Sequence, residues 1–89
     1  MNFQNNWIIT VEKSVLKAVL KFPLVDQDSI EEVMKALPPN PFAGDTRKLQ
    51  GLNNIWRRRV GAYRIFYEIE KTRRLVHIFK VERRGSNTY

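Results

Sequence analysis

The sequence contains no cysteine and a single histidine, His77. The missing cysteines exclude disulfides and thiolate metal sites, and one histidine leaves no ligand set for a zinc or iron centre, so neither a metal nor a cofactor is expected. No apolar run approaches the ~20 residues that a membrane-spanning helix needs. The N-terminus also lacks a basic region followed by an apolar one, so the expectation is a cytoplasmic protein with no membrane partner. Acidic residues are scarce. Sixteen Lys and Arg face nine Asp and Glu, giving a net charge of +7, a balance that fits nucleic acid, an anionic surface or an acidic protein as partner. A chain of 89 residues is read as one domain, 1–89, able to fold alone around a thin core.

Hydrophobic periodicity sets out the elements. Phe3 to Thr10 carries Trp7, Ile8 and Ile9, a short apolar run that predicts a first strand. From Val11 to Phe22 the apolar positions recur at helical spacing until Pro23 stops them. A second helix is expected after N-cap candidates at Asp26 to Asp28, with Ser29-Ile30-Glu31-Glu32 as a capping box and Pro38-Pro39 as its end. Pro38 to Gly51, with three prolines and two glycines, reads as an ordered but irregular connection anchored by Phe42 and Leu49. Arg74 to Glu82 alternates as a last strand with Leu75, His77, Phe79 and Val81 on one side. The order β-α-α-β-β-β predicts an α+β fold, a helical hairpin packed on a small, twisted, mostly antiparallel sheet.

The most informative stretch runs from Trp56 to Tyr67. With Gly61-Ala62 as a two-residue type II′ turn, Val60 pairs with Tyr63, Arg59 with Arg64, and Arg57 with Phe66. Alternation then puts Arg57, Arg59, Arg64 and Phe66 on one face, and Trp56, Val60, Tyr63, Ile65 and Tyr67 on the other. One face is core and the other a charged platform. Because like charges directly opposite on a sheet destabilise it, Arg59 against Arg64 demands a compensating carboxylate or an anionic ligand. Against this stands the plainer reading of a solvated basic face. His77, between Val76 and Ile78, reads as a packing or surface residue rather than a catalytic one. Trp56, Tyr63 and Tyr67 read as core, which leaves Phe66 as the better base-stacking candidate.

Leu49-Gln50-Gly51-Leu52, Trp56-Arg57-x-Arg59-Val60-Gly61-x-Tyr63-Arg64-Ile65-x-Tyr67, and a last strand ending in Arg83-Arg84 with Tyr89 beyond it resemble the RelE/ParE superfamily of toxins from toxin-antitoxin modules. The resemblance covers nearly the whole chain. It implies a twisted sheet against two N-terminal helices, and neutralisation by a cognate antitoxin that we expect to cover the basic face. Operator DNA would be reached only through the antitoxin complex. RelE-like members cut messenger RNA in the ribosomal A site, and ParE-like members inhibit DNA gyrase. Carried over by position, the RNA-cleaving set becomes Arg57, Arg59, Arg64, Arg83 and Tyr89, with Lys48 and Arg84 as RNA-binding candidates. Two departures stand out: Glu82 occupies the place of a histidine in many members, and Arg58 the place of a core-facing leucine, where it is expected to snorkel at the sheet edge.

Metal-free RNA cleavage needs the 2′-hydroxyl deprotonated, the phosphorane charge stabilised and the leaving 5′-oxygen protonated. Arg64, flanked by Arg59 and Arg57, suits the middle task, because a guanidinium grips phosphate oxygens and stays charged. Arg83 is the candidate for the leaving group, acting electrostatically. Tyr89 and Glu82 compete as nucleophile-orienting or basic groups. The expectation is therefore an endoribonuclease acting on messenger RNA at the ribosome. Its alternatives are a ParE-like gyrase inhibitor and a member that binds its antitoxin without activity.

Overall fold

A computed structural model describes residues 6–51 and 54–83. Its elements run β1 (Ile8–Val11), α1 (Lys13–Val19), α2 (Leu24–Ala36), β2 (Thr46–Lys48), β3 (Ile55–Val60), β4 (Tyr63–Glu70) and β5 (Leu75–Arg83). The strands form one sheet in the order β1-β5-β4-β3-β2. β1 joins β5 in parallel and every other pairing is antiparallel. This is the α+β arrangement expected from sequence, with β2 as an additional strand inside the proline-rich connection.

The first helix is shorter than its apolar pattern. Val11 pairs with Ile78 in the sheet, so the chain leaves β1 only at Glu12, whose extended backbone lets its carbonyl accept from Val15 and Leu16. The second helix starts earlier than expected. Pro23, with ψ 148°, lets its carbonyl accept from Asp26 and Gln27, and proline before a first turn costs no helical hydrogen bond. Ser29 lies inside α2 and donates back to the Val25 carbonyl at 3.2 Å, so no capping box forms there. Gln27 closes the short link by donating to the Phe22 carbonyl at 2.8 Å.

The core sits between the helices and one face of the sheet. Val15, Ile30 and Leu37 meet Tyr63, Ile65, Tyr67, Ile69, Val76 and Ile78, all buried. Two tyrosine hydroxyls in this layer find partners: Tyr63 donates to Asp26 at 2.9 Å and Tyr67 to the Pro41 carbonyl at 2.8 Å. Burial, reinforced for Tyr63 by Asp26, holds both phenols above their ordinary pKa. A raised pKa in the fold means stability that is complete below the unfolded value near ~10 and is lost as pH climbs beyond it. Alkaline unfolding followed by circular dichroism should therefore begin above that pH, and Tyr63→Phe should blunt the loss.

Outside the core, Leu16, Leu20, Leu24 and Val25 of the helical hairpin remain exposed. A groove of about 520 Å³ between α1 and α2 is lined by Leu16, Val19, Leu20, Ile30 and Met34. No helix among the described residues is long and apolar enough to cross a membrane.

Two devices position the second face. The β3-β4 turn has Gly61 at φ +57° and Ala62 without a positive φ, the pattern of a type II′ hairpin, and it delivers the expected register of Val60 with Tyr63, Arg59 with Arg64 and Arg57 with Phe66. The proline-rich segment is tied down by Tyr67 and by aromatic contacts of Phe42 with Trp7 (5.7 Å) and Trp56 (5.1 Å). Arg58 does face the core side, and its Nη1 donates to the Ala43 carbonyl at 3.0 Å. Its guanidinium lies where a Cβ on Gly44 would fall, 2.5 Å from Cζ, and Gly44 holds φ +78°. The positive φ favours glycine here, and any side chain would also push the Arg58 guanidinium aside. Thr46 donates to the same Ala43 carbonyl at 2.7 Å, which fixes the entry to β2.

Candidate functional site: the open face of the sheet

The face turned away from the helices holds two adjacent cross-strand rows rich in cations, beside a third in which Glu68 faces His77. Residues directly opposite in a sheet share a face. In one row Arg59 of β3 faces Arg64 of β4, which faces Glu82 of β5. In the next, Arg47 of β2, Arg57, Phe66 and Lys80 follow one another across four strands. The Arg59/Arg64 repulsion foreseen from sequence is met by carboxylates at both ends. Arg59 Nε lies 3.6 Å from Asp45 Oδ2, and Arg64 Nη1 donates to Glu82 Oε2 at 3.2 Å. The other oxygen of Glu82 is 3.3 Å from Lys80 Nζ.

These pairs are partly exposed, and ion pairs of that kind contribute about 0–1 kcal/mol. A phosphate, with more acceptor oxygens and more charge than a carboxylate, can displace them. The two rows together carry five cations, Arg47, Arg57, Arg59, Arg64 and Lys80, against the carboxylates of Asp45 and Glu82. The surplus is positive, and Arg57 has no side-chain hydrogen bond or ion pair among the described residues.

Several site expectations change. Arg57, Arg59, Arg64 and Phe66 do share the open face. Glu82 joins them, but as a counter-ion with both carboxylate oxygens engaged, so acting as a base requires breaking one of those contacts. Lys48 stands opposite Trp56, on the helix-facing side of the sheet edge. Its neighbour Arg47 takes the open-face position instead. Arg83 is opposite Tyr63 and so turns toward the helix side, where its charge lowers the Tyr63 pKa against the upward push of burial.

The cause is a register shift between Phe66 and Tyr67. Phe66 faces Lys80 while Tyr67 faces Ile78, so Phe79 is the extra residue of a bulge, and everything beyond it changes sides. The expected stripe of Leu75, His77, Phe79 and Val81 is broken for the same reason. Val76 and Ile78 are the buried pair, and Val81 pairs with core Ile65. Arg84 and Tyr89 lie outside the described residues.

His77 also reaches the open face. Its Nε2 is 3.0 Å from Glu12 Oε2 and its Nδ1 is 2.7 Å from Thr10 Oγ1. It ties β1 to β5, in keeping with the surface role read from sequence.

Two helices packed behind a five-stranded sheet with a parallel N-terminal strand describe an architecture that also occurs in known proteins. The family of the ParE toxin of type II toxin-antitoxin system, parDE, matches residues 16–88. The chain belongs to the RelE/ParE toxins. A Methanocaldococcus jannaschii protein named as a RelE1 toxin is 28% identical over 79 residues, covering 85% of this chain and 88% of that relative. The archaeal RelE-RelB complex from Pyrococcus horikoshii is similar at a TM-score of 0.82 and 26% identity, over 91% of this chain and 98% of that one. The RelBE2 toxin-antitoxin complex from Mycobacterium tuberculosis shares the fold at a TM-score of 0.76 and 21% identity, over 89% and 99%. In this RelE/ParE toxin the open face bears arginines, and Asp45 and Glu82 balance part of their charge.

Proposed function

We propose that this toxin is a metal-independent endoribonuclease that cleaves messenger RNA on the translating ribosome and is held inactive by a cognate antitoxin covering the open face. The observation that carries the reading is the excess of cations over carboxylates in two adjacent rows of a sheet face that no helix covers among the described residues, with Arg64 central to it. In the reaction the RNA 2′-oxygen attacks phosphorus, the bond to the 5′-oxygen breaks, and the products are a 2′,3′-cyclic phosphate and a 5′-hydroxyl. The proton leaves the 2′-hydroxyl and another reaches the departing 5′-oxygen. Arg64 and Arg59 exchange their carboxylates for the scissile phosphate and stabilise its dianionic phosphorane. Arg57 holds a phosphate oxygen at the same time.

The resemblance leaves the 2′-hydroxyl proton to Tyr89, with Glu82 as its competitor and ribosomal groups able to supplement them; Arg83, turned to the helix side, would act on the leaving group only electrostatically. Antitoxin binding removes the free toxin by mass action, and an acidic or amphipathic segment suits the charge of the face.

A second reading has support of its own, since the matching family is named for ParE: the same arginines would then form a protein interface on DNA gyrase. The purified chain, added in parallel to programmed ribosomes and to a gyrase supercoiling reaction, separates the two. Cleaved messenger RNA with supercoiling intact is the expected result. Inhibited supercoiling that survives Arg64→Ala, with the message uncut, contradicts it.

A further inference from the structure

The row Arg47-Arg57-Phe66-Lys80 has a chemistry distinct from that of its neighbour. At the ~4.8 Å spacing of paired strands, its four positions reach about 14 Å straight across the sheet. Arg59 and Arg64 each meet a carboxylate, whereas Arg47 and Arg57 meet none among the described residues. Between the cations lies an aromatic ring. Phe66 is only half-buried on the uncovered side of the sheet, and the Phe79 ring stands 6.5 Å away at a 44° tilt. Lys80 holds its Nζ 5.2 Å from the centre of the Phe66 ring while also reaching Glu82. Both Lys80 contacts are weak at this exposure, so the ammonium is a replaceable cover for the ring.

We propose that this row is a nucleotide subsite for single-stranded RNA. One base stacks on Phe66 in place of the Lys80 ammonium. The phosphate on one side of that base is held by Arg57, and the phosphate on the other by Lys80, which swings outward. An aromatic surface with cations on both sides matches a polymer that alternates planar bases with phosphates, whereas an acidic peptide offers the charge without the planar groups. The subsite accepts any base, because every base presents a π-face. The strand therefore runs across the β-strands, and β2 extends the site by one phosphate at Arg47. The inference rests on the open face being the RNA-cleaving surface.

Binding of a fluorescein-labelled oligoadenylate to the purified chain, measured by anisotropy over a series of salt concentrations, tests it. Arg47→Ala and Lys80→Ala should each weaken binding severalfold and reduce the log-log salt slope by about 0.7, the signature of one lost phosphate contact on a single strand. Phe66→Leu should weaken binding about tenfold with the slope unchanged. Thermal melts of all three variants should match the parent, since none of these side chains belongs to the buried core.

Unchanged affinity in Arg47→Ala and Lys80→Ala overturns the subsite. So does polyglutamate of equal charge binding as tightly as the oligoadenylate. In either case cleavage of messenger RNA on ribosomes by the unaltered chain leaves the cleavage reading standing, and absence of that cleavage defeats the parent reading separately.

Discussion

Arg64→Ala is expected to slow messenger RNA cleavage by about 10²- to 10³-fold under single-turnover conditions, the usual loss when one preorganised donor to a developing anion is removed. Arg64 lies between Arg59 and Glu82 in the same cross-strand row, so in the proposed reaction its guanidinium follows the phosphate from ground state to phosphorane. Glu82→Gln should act in the opposite direction on binding. Removing the carboxylate that Arg64 and Lys80 share leaves both cations to the RNA, and affinity should rise severalfold while cleavage persists. If Glu82→Gln instead stops cleavage as fully as Arg64→Ala without weakening RNA binding, Glu82 is the base and not a counter-ion. Quench-flow rates paired with anisotropy separate these outcomes.

The second large effect is structural. Tyr67→Ala should cost about 3–5 kcal/mol, as expected for truncating a fully buried aromatic. In a domain whose total stability is on the order of 5–15 kcal/mol, this is a large part of the whole. The melting temperature should fall by roughly 15 °C or more. Tyr67 is fully buried and its hydroxyl holds the Pro41 carbonyl, so the variant also frees the segment that leads through Ala43 and Gly44 into β2. Tyr67→Phe keeps the ring and loses only that hydrogen bond. It should therefore lose far less in the melt, and it should weaken RNA binding mainly through Arg47, which β2 carries. Differential scanning calorimetry of the pair measures the first effect, and the salt slope reads the second.

The hairpin was legible because two signals agreed. Gly61 gave the turn and the alternation of arginines with apolar residues gave the faces, and no long-range information was needed. The Arg59/Arg64 opposition followed from that register, and with it the need for a compensating charge. Which charge answered it could not be read. Asp45 reaches Arg59 from a stretch whose prolines and glycines argue against regular structure, and the three residues of β2 are strand only because β3 supplies their partners. Lys48 was carried over from the family resemblance, and without the β2 register nothing in the sequence separates it from Arg47.

The bulge at Phe79 is invisible to a period-two reading, since both phases of β5 contain apolar residues. It reversed the side of Arg83 and brought Glu82 and Lys80 to the open face. At α2, Ser29 and Glu32 imitate a capping box, while the helix begins after Pro23, where proline is tolerated because the first turn leaves its N–H groups unbonded.

The central claim is that the open face supports attack by a ribose 2′-hydroxyl on the neighbouring phosphate. It is tested most directly on programmed ribosomes with two messages that differ only in a single 2′-deoxynucleotide at the position where the unmodified message is cut. Cleavage of the first and resistance of the second at that link is the predicted result. Equal cleavage of both, or of neither, contradicts the account.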